Sequence, residues 1–215
     1  GEHTVFKTNS NGFILFEFEV KGDLGEEFID INHMTTDNEG NIYVQGRYYT
    51  SGNVYPQEIV KFNSGGIRQN LIVFPENETY DYTFLEFDSD GNQYYYSGNY
   101  NTPAKLHKIN SNGDIVTLIG SDELTCKGGL DIDGMGNIYI ACGTGTTSSK
   151  YDPNGNLLFN FNSNPLSEYQ RISQIEIDSA GRIHVDNFNV QYNNQITVFR
   201  DKFVEDNVPP VINPI

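Results

Sequence analysis

Hydrophobic and polar residues alternate with a period of two in short runs along most of the chain, and the runs are separated by glycine-containing turns. Leu130 and Ile132 precede one such turn, and Ile138 and Ile140 follow it. Because successive side chains of a strand point to opposite faces of a sheet, this alternation predicts two antiparallel strands joined by a tight turn. The chain is therefore expected to be all-β.

The first turn motif is Asp-x-x-Gly, which occurs four times at intervals of 51, 45 and 45 residues. Its copies begin at Asp37, Asp88, Asp133 and Asp178. The aspartate is expected to bond nearby backbone amides, and the glycine to take the left-handed conformation that closes a hairpin. The turn thus predicts the joint between the first two strands of each repeat.

A second motif, Lys followed by Asn/Asp-x-x-Gly, alternates with the first over the whole chain. Its copies begin at Lys7, Lys61, Lys108 and Lys150. This motif closes a further hairpin and leads into another apolar run. Each repeat of about 45 residues therefore holds four strands, which is the content of one propeller blade.

The repeated segments, such as Gly136-Asn-Ile-Tyr-Ile140 and Lys61-Phe-Asn-Ser-Gly-Gly66, resemble the NHL-repeat and related six-bladed-type propeller families. The resemblance runs from about residue 4 to about residue 203 and implies a β-propeller of four-stranded antiparallel blades. Such blades serve lyases, hydrolases, receptors and scaffolds, so the resemblance implies the architecture and leaves the activity open.

The strand count predicts four to five blades. The propeller is expected over residues 1–203, with repeat units of about 21–74, 75–120, 121–162 and 163–203. Residues 1–20 supply strands that either close the ring with the last blade or are exchanged between copies. Closure would remove exposed sheet edges, whereas exchange would give head-to-tail assembly. Residues 204–215 are predicted to be a proline-rich extended tail or linker.

The net charge is −16, from 29 acidic and 13 basic residues. Such a surface repels phosphate backbones, which argues against nucleic-acid binding. Membrane spanning is not predicted, because the sequence lacks an apolar run of the roughly 20 residues that a spanning helix needs. The opening Gly1-Glu2-His3 has no signal peptide before it, which fits a mature or trimmed secreted or cell-surface protein.

Tyrosines concentrate in the loops expected after the second strand of each blade. They are Tyr48, Tyr49, Tyr55, Tyr100 and Tyr192, set among Asn, Thr and Gly. These loops gather on one face of a propeller, where exposed tyrosines suit stacking on a glycan or contact with a protein partner. The alternative is that they cover blade edges.

Metal binding has little support in the sequence, and no cofactor is predicted. Acidic loops after the fourth strands leave Ca²⁺ open, although we interpret them as solvated loops. Asp88-Ser-Asp-Gly-Asn92 imitates the start of an EF-hand loop but has Asn99 at the twelfth position, so we interpret it as a turn. The four histidines show no zinc-ligand spacing and are interpreted as scattered; they are His3, His33, His107 and His184.

Cys126 and Cys142 flank the hairpin that turns near Gly134. Their nearly equal distances from the turn would place them within a rung or two of each other on adjacent strands. A disulfide there would fit an oxidising compartment, whereas the strand register could prevent its geometry. Both alternatives stay open.

The function predicted from these features is that of a non-enzymatic extracellular or cell-surface module for structure or interaction. Self-assembly of this module through terminal strand exchange is left open beside closure within one chain. No catalytic residue is predicted, because inner-strand residues such as Leu130, Ile132, Ile175 and Ile177 are apolar. The alternatives are a metal-assisted propeller hydrolase or lactonase and a glycan-binding, lectin-like propeller. A polar ring on the innermost strands would favour the enzyme.

Overall fold

The computed structural model describes residues 3–21, 28–48, 57–72, 82–98, 104–110, 112–120, 128–141, 147–162, 171–188 and 195–200. The strands are β1 His3–Thr8, β2 Ile14–Val20, β3 Phe28–Thr36, β4 Ile42–Tyr48, β5 Gln57–Phe62, β6 Arg68–Ile72, β7 Tyr82–Phe87, β8 Gln93–Gly98, β9 Lys105–Ile109, β10 Ile115–Ile119, β11 Leu130–Ile132, β12 Ile138–Ile140, β13 Thr147–Tyr151, β14 Leu157–Asn162, β15 Arg171–Ile177, β16 Arg182–Phe188 and β17 Gln195–Arg200.

The strands form antiparallel sheets in chain order. Three sheets have four strands each, β3 to β6, β7 to β10 and β11 to β14, while β1 and β2 form a pair and β15 to β17 form a three-stranded sheet. Within the described ranges, no helix is long and apolar enough to cross a bilayer. The expectation of an all-β chain built from four-stranded antiparallel blades is confirmed.

The core lies between consecutive sheets. Each of four buried apolar clusters joins one sheet to the next, as where Leu85 of β7 meets Tyr43 and Ile59 of the preceding sheet. The last cluster joins Tyr139 of β12 to Val185 of β16. Strands β3, β7, β11 and β15 contact one another in that order, so the first strands of the four larger sheets lie side by side. This is the face-to-face stacking of propeller blades.

The Asp-x-x-Gly turn is held by the bonds its sequence predicts. In the first copy, Asp37 Oδ1 accepts the backbone N–H groups of Glu39 (3.0 Å) and Asn41 (2.9 Å). Asp37 Oδ2 accepts Asn41 Nδ2 (2.7 Å) and the Tyr43 hydroxyl (2.8 Å). Lys61, from the second motif, lies 3.8 Å from the same oxygen and 5.2 Å from the centroid of the Tyr43 ring. The two motifs therefore alternate because one supplies the carboxylate and the other its counter-charge.

The same arrangement recurs in the next two blades. Lys108 lies 3.6 Å from Asp88, and Lys150 lies 3.7 Å from Asp133, measured from Nζ to Oδ2. Asp88 Oδ2 also accepts a hydrogen bond from Asn92 Nδ2 (2.7 Å). The interpretation of this segment as a turn rather than an EF-hand loop agrees with these contacts.

The fourth copy replaces the lysine by an arginine and a histidine. Val198 stands opposite His184 at the position where the other blades have lysine opposite tyrosine. Arg182 Nε lies 2.5 Å and His184 Nε2 3.1 Å from Asp178 Oδ2. The turn thus keeps a positive partner for its carboxylate although the motif is degraded.

The first two strands do not join the last blade within the described part of the chain. Strand β2 pairs with β1, and Val5 and Val20 are buried against Val44 and Val60 of the next sheet. The last sheet ends at β17. Residues 3–20 therefore contribute a separate two-stranded sheet, whose apolar face packs against the β3–β6 sheet. The proposed tail at 204–215 lies outside the described residues.

Candidate active site

The innermost strands carry polar side chains at one repeated position, two residues before the aspartate of each turn motif. These residues are Thr35, Glu86, Asp131 and Glu176. The neighbouring apolar residues, such as Leu130 and Ile175, pack between the sheets. The expectation that the inner strands present only apolar side chains is therefore wrong, because their alternation places one apolar and one polar set on the same strand.

A histidine–carboxylate pair links the first two of these strands. His33 Nε2 lies 2.7 Å from Glu86 Oε1 and 3.2 Å from the backbone oxygen of Leu85. Thr35 Oγ1 donates a hydrogen bond to Glu86 Oε2 (2.6 Å). The pair is held away from solvent, with His33 6% and Glu86 8% exposed. Phe84 packs edge-on against the His33 ring, at 5.5 Å between centroids.

A carboxylate links the next two inner strands. Asp131 on β11 accepts the backbone N–H of its neighbour Ile132 (2.7 Å) through Oδ1 and that of Ile177 on β15 through Oδ2. Both oxygens of Asp131 therefore have backbone donors, one of which belongs to the following sheet.

A further contact joins the fourth inner strand to the first. Gln174 Nε2 on β15 lies 3.5 Å from the backbone oxygen of Asn32 on β3. Gly129 makes room beside it, because a Cβ atom at that position would lie 2.8 Å from the Gln174 Cα atom. We call His33, Thr35, Glu86, Asp131 and Glu176 the central cluster. Hydrogen bonds join His33 and Thr35 to Glu86, whereas Asp131 and Glu176 belong to it electrostatically, through the effect of the Glu176 charge on Asp131 and of the Glu86 charge on both.

Burial and like charge shift the proton affinities of the central cluster. Burial raises the pKa of Asp131 to about 7, and the charges of Glu86 and Glu176 add to this effect against the Ile177 hydrogen bond. Burial and the Glu86 charge also raise the pKa of Glu176. For His33, burial opposes the charged form, but the hydrogen bond and charge of Glu86 outweigh it, so the pKa of the imidazole is raised. Groups that exchange protons near neutral pH are suited to acid–base catalysis.

Accessibility differs among the members of the central cluster. Glu176 is exposed and Asp131 is half-buried, whereas His33 and Glu86 are buried. The carboxyl groups of Glu176 and Asp131 are therefore more accessible to solvent than the histidine pair.

The central cluster does not fit the divalent metal that some propeller hydrolases hold near their central channel. Among the described residues, no group of three or more His, Cys, Asp or Glu side chains is arranged to hold a metal ion. Both oxygens of Glu86 are bonded to His33 and Thr35, and both of Asp131 accept backbone amides. The acidic loop residues that left Ca²⁺ open lie outside the described ranges, except Asp30, which lies in β3.

The tyrosines and cysteines singled out in the sequence are largely beyond what the structure describes. Tyr48 is the last residue of β4. The others lie outside the described residues: Tyr49, Tyr55, Tyr100, Tyr192, Cys126 and Cys142. Binding of a glycan or protein by these loops, and the disulfide, stay predictions.

Of the four histidines interpreted as scattered, His33 belongs to the central cluster, where it contacts Glu86. Two others lie in different surroundings. His107 stacks on Tyr95 at 4.6 Å between centroids, and His184 caps the Asp178 turn. An alignment of the repeats on their turn aspartates would have shown that acidic residues recur two positions before three of these aspartates. His33 lies four positions before Asp37 and has no histidine counterpart in the other blades, so the alignment would not have indicated it.

Sequence comparison gives no relative, since no protein-family model matches the chain and no characterised protein sequence matches it significantly. Solved structures do share its fold. The chain matches a gluconolactonase from Xanthomonas campestris with a TM-score of 0.58 at 15% identity, over 85% of this chain and 61% of that one. The present chain thus spans about three fifths of that enzyme's length.

Two further structures have enzymatic names. A luciferin-regenerating enzyme matches with a TM-score of 0.62 at 12% identity, over 92% of this chain and 69% of that one. A virginiamycin B lyase from Staphylococcus aureus matches with a TM-score of 0.51 at 14% identity, over 95% of this chain and 61% of that one.

These similarities correct the function expected from the sequence. The prediction of a non-enzymatic structural module is contradicted, because the structures that share this fold are named as enzymes: a gluconolactonase, a virginiamycin B lyase and a luciferin-regenerating enzyme. The polar inner strands contradict the apolar ring on which that expectation rested. At these identities the likeness establishes the fold alone: the chain has a β-propeller fold.

Proposed function

We propose that this protein is a propeller enzyme that hydrolyses a small ester or lactone by acid–base chemistry at the central cluster. One observation carries the proposal: ionisable side chains from four inner strands meet where one carboxyl group, Asp131, has a pKa of about 7. A carboxyl group of that pKa is protonated in part of the population at neutral pH, so it can act as an acid. The enzymatic names of the fold neighbours support the reaction class.

Two carboxyl groups divide the proton transfers. Glu176, the exposed member, is ionised and takes a proton from a water molecule. The oxygen of that water molecule attacks the carbonyl carbon of the substrate. Protonated Asp131 gives its proton to the leaving alkoxide oxygen when the acyl C–O bond breaks. Ring opening of a lactone then yields one hydroxy acid, and transfer of a proton from Glu176 to Asp131 restores the site. Separating the proton affinities of two carboxyl groups in this way defines acid and base.

The histidine pair supports these groups. Glu86 accepts from His33 and Thr35, which fixes the imidazole beside the carboxyl groups. Glu86 favours the protonated form of the imidazole, and in that form His33 would offset the negative charge on the attacked carbonyl oxygen. His33 and Glu86 are thus positioning and electrostatic groups, while Asp131 and Glu176 transfer protons.

The test is hydrolysis of glucono-δ-lactone, simple aliphatic lactones and 4-nitrophenyl acetate by the purified protein, with and without added divalent cations. Glu176→Gln and Asp131→Asn are expected to lower kcat/KM by about 10²–10⁴-fold, the usual contribution of a general acid or base. Glu17→Gln, an exposed glutamate on β2, removes the same charge away from the site and is expected to leave activity unchanged. If the two variants Glu176→Gln and Asp131→Asn hydrolysed these substrates as fast as the wild type, the proposal would be contradicted.

The repeat type is a separate proposal. We propose that the blades are of the NHL kind, since the Asp, Asn and Tyr of one motif and the Lys of the next form the same contacts in three consecutive blades. The structural neighbours support a propeller without distinguishing this type from related ones.

A further inference from the structure

Two polar side chains of the first inner strand share one carboxylate of the second. His33 and Thr35 lie two residues apart on β3, so they point to the same face of that strand. His33 Nε2 lies 2.7 Å from Glu86 Oε1, and Thr35 Oγ1 lies 2.6 Å from Glu86 Oε2. Thr35 occupies the repeated position at which the other inner strands carry Glu86, Asp131 and Glu176. The first inner strand thus supplies hydrogen-bond donors where the others supply acids.

The contacts of His33 fix which nitrogen of its ring carries the proton. Nε2 lies 3.2 Å from the backbone oxygen of Leu85 as well as 2.7 Å from Glu86 Oε1. A backbone oxygen only accepts hydrogen bonds, so Nε2 must be the donor. Within the described part of the chain, Nδ1 has no hydrogen-bond partner, and it is not one of the unpartnered side-chain atoms that are sealed from solvent. Nδ1 is therefore the open nitrogen of a ring whose other nitrogen is engaged.

The orientation of this ring is determined by its surroundings. A half-turn of the ring would put carbon Cε1 where Nε2 now lies, and both hydrogen bonds of Nε2 would be lost. That loss is costly because the side chains of His33 and Glu86 are only 5% and 11% exposed. Phe84 also packs edge-on against the ring. Both oxygens of Glu86 are bonded to β3, so Glu86 positions the imidazole and has no free oxygen for a substrate.

We propose that His33 contacts the substrate through Nδ1, which donates a hydrogen bond to the carbonyl oxygen under attack, while Glu86 and Thr35 hold the ring in the orientation that leaves this atom free. This role rests on the proposed function and names the atom that meets the substrate. Glu86 favours the protonated ring, in which Nδ1 also carries a proton. A donor placed at an oxygen that becomes negative stabilises the transition state more than the bound substrate.

Two substitutions of His33 separate the roles of its two nitrogens. Glutamine keeps a donor near the position of Nε2 and can still bond Glu86, whereas asparagine keeps a donor near the position of Nδ1 and leaves Glu86 without that partner. We expect His33→Gln to lower kcat for the lactones and esters named above by about 10²–10³-fold, the usual effect of losing one such donor, and His33→Asn to lose roughly tenfold less. The Tm should follow the opposite order, because the asparagine variant leaves a buried carboxylate short of a donor. A purely structural role of His33 would make activity and Tm fall together.

The hydroxyl of Thr35 is tested by a matched pair of variants. Thr35→Val removes the hydroxyl at nearly constant volume, and Thr35→Ser keeps it. We expect Thr35→Val to lower kcat by about tenfold or more, because the ring is then held less well, and Thr35→Ser to stay near the wild type. A Thr35→Val protein with the wild-type kcat would overturn the positioning role.

The proton position on His33 is measured without a substrate, by two-bond ¹H–¹⁵N correlation spectra at a pH that neutralises the ring. We expect the proton on Nε2, and a proton on Nδ1 instead would overturn the proposed contact. A His33→Gln variant at least as active as His33→Asn would overturn it too. In an active wild type, either result leaves the proposed function standing. A wild type that hydrolyses none of the substrates would defeat the proposed function, and the substrate contact with it, even with the expected spectrum.

Discussion

At the scale of single residues, the turn aspartates show how one side chain serves several donors. Asp133 Oδ1 accepts the backbone N–H groups of Met135 and Asn137, and Oδ2 accepts Asn137 Nδ2 (2.8 Å) and the Tyr139 hydroxyl (3.1 Å). Lys150, which is 5% exposed, adds its charge at 3.7 Å. Removing the carboxylate would leave these donors without an acceptor, which costs more than the bonds themselves contribute.

Asp133→Ala is therefore expected to lower the free energy of unfolding by about 2–4 kcal/mol. The substitution leaves the buried ammonium of Lys150 and the hydroxyl of Tyr139 without their carboxylate partner. Asp152→Ala provides the comparison. Asp152 makes the same turn bonds to Asn154 and Asn156, but these bonds are exposed, so its loss should be smaller. Urea unfolding of both variants measures the difference, and equal losses would show that the counter-charge contributes nothing.

At the scale of elements, the inner strands depend on close backbone approach. Gly129 precedes β11, and a Cβ atom there would lie 2.8 Å from the Gln174 Cα atom and 2.9 Å from the Ile175 nitrogen on β15. Backbone atoms cannot yield as a flexible side chain can, so a larger residue would push the two strands apart. Separation of β11 from β15 would also strain the bond from Ile177 to Asp131.

Gly129→Ala is expected to destabilise the fold by about 1–3 kcal/mol, as overpacking commonly does. Gly134→Ala is the matched control, because a Cβ atom at Gly134 would meet no atom within 4 Å. Denaturant midpoints compare the two variants. If both behaved alike, the approach of β11 to β15 would not be limited by residue 129.

At the scale of the whole molecule, stability comes from sheets stacked in chain order. The two-stranded β1–β2 sheet covers Val44, Val60 and Phe62 of the next sheet with Val5 and Val20. Because burial of apolar surface between sheets is the main stabilising contribution, disrupting one interface should weaken the whole stack.

Val20→Asp would place a carboxylate at a position that is 2% exposed, within this apolar cluster. It is expected to cost several kcal/mol, about 3 or more, because a buried charge without a partner must be desolvated. Val116→Asp, on β10 and 50% exposed, should change stability by no more than about 0.5 kcal/mol. Calorimetry of both variants checks this, and a tolerated Val20→Asp would mean that the β1–β2 sheet adds little.

The turns and the strand pairing could be predicted from the sequence because they depend on local contacts. Asp37, Asn41 and Tyr43 lie within one hairpin, so their spacing already indicates their bonds. The partner of β2 could not be predicted, since β1 and β17 were both available and only the packing of Val5 and Val20 against the neighbouring sheet decided between them.

The sequence by itself determined the repeat, the four-stranded blades and the turns, because each is written in residues a few positions apart. Only the tertiary structure brought together His33, Glu86, Asp131 and Glu176, which lie about one repeat apart along the chain. Alternation along a strand shows which residues share a face, but it does not show which face meets a neighbouring blade and which meets the centre. The stacking of the blades decides which face of each strand lies against a neighbour. The same stacking brings the ionisable groups together, which causes the pKa shifts that make the central cluster a candidate for chemistry.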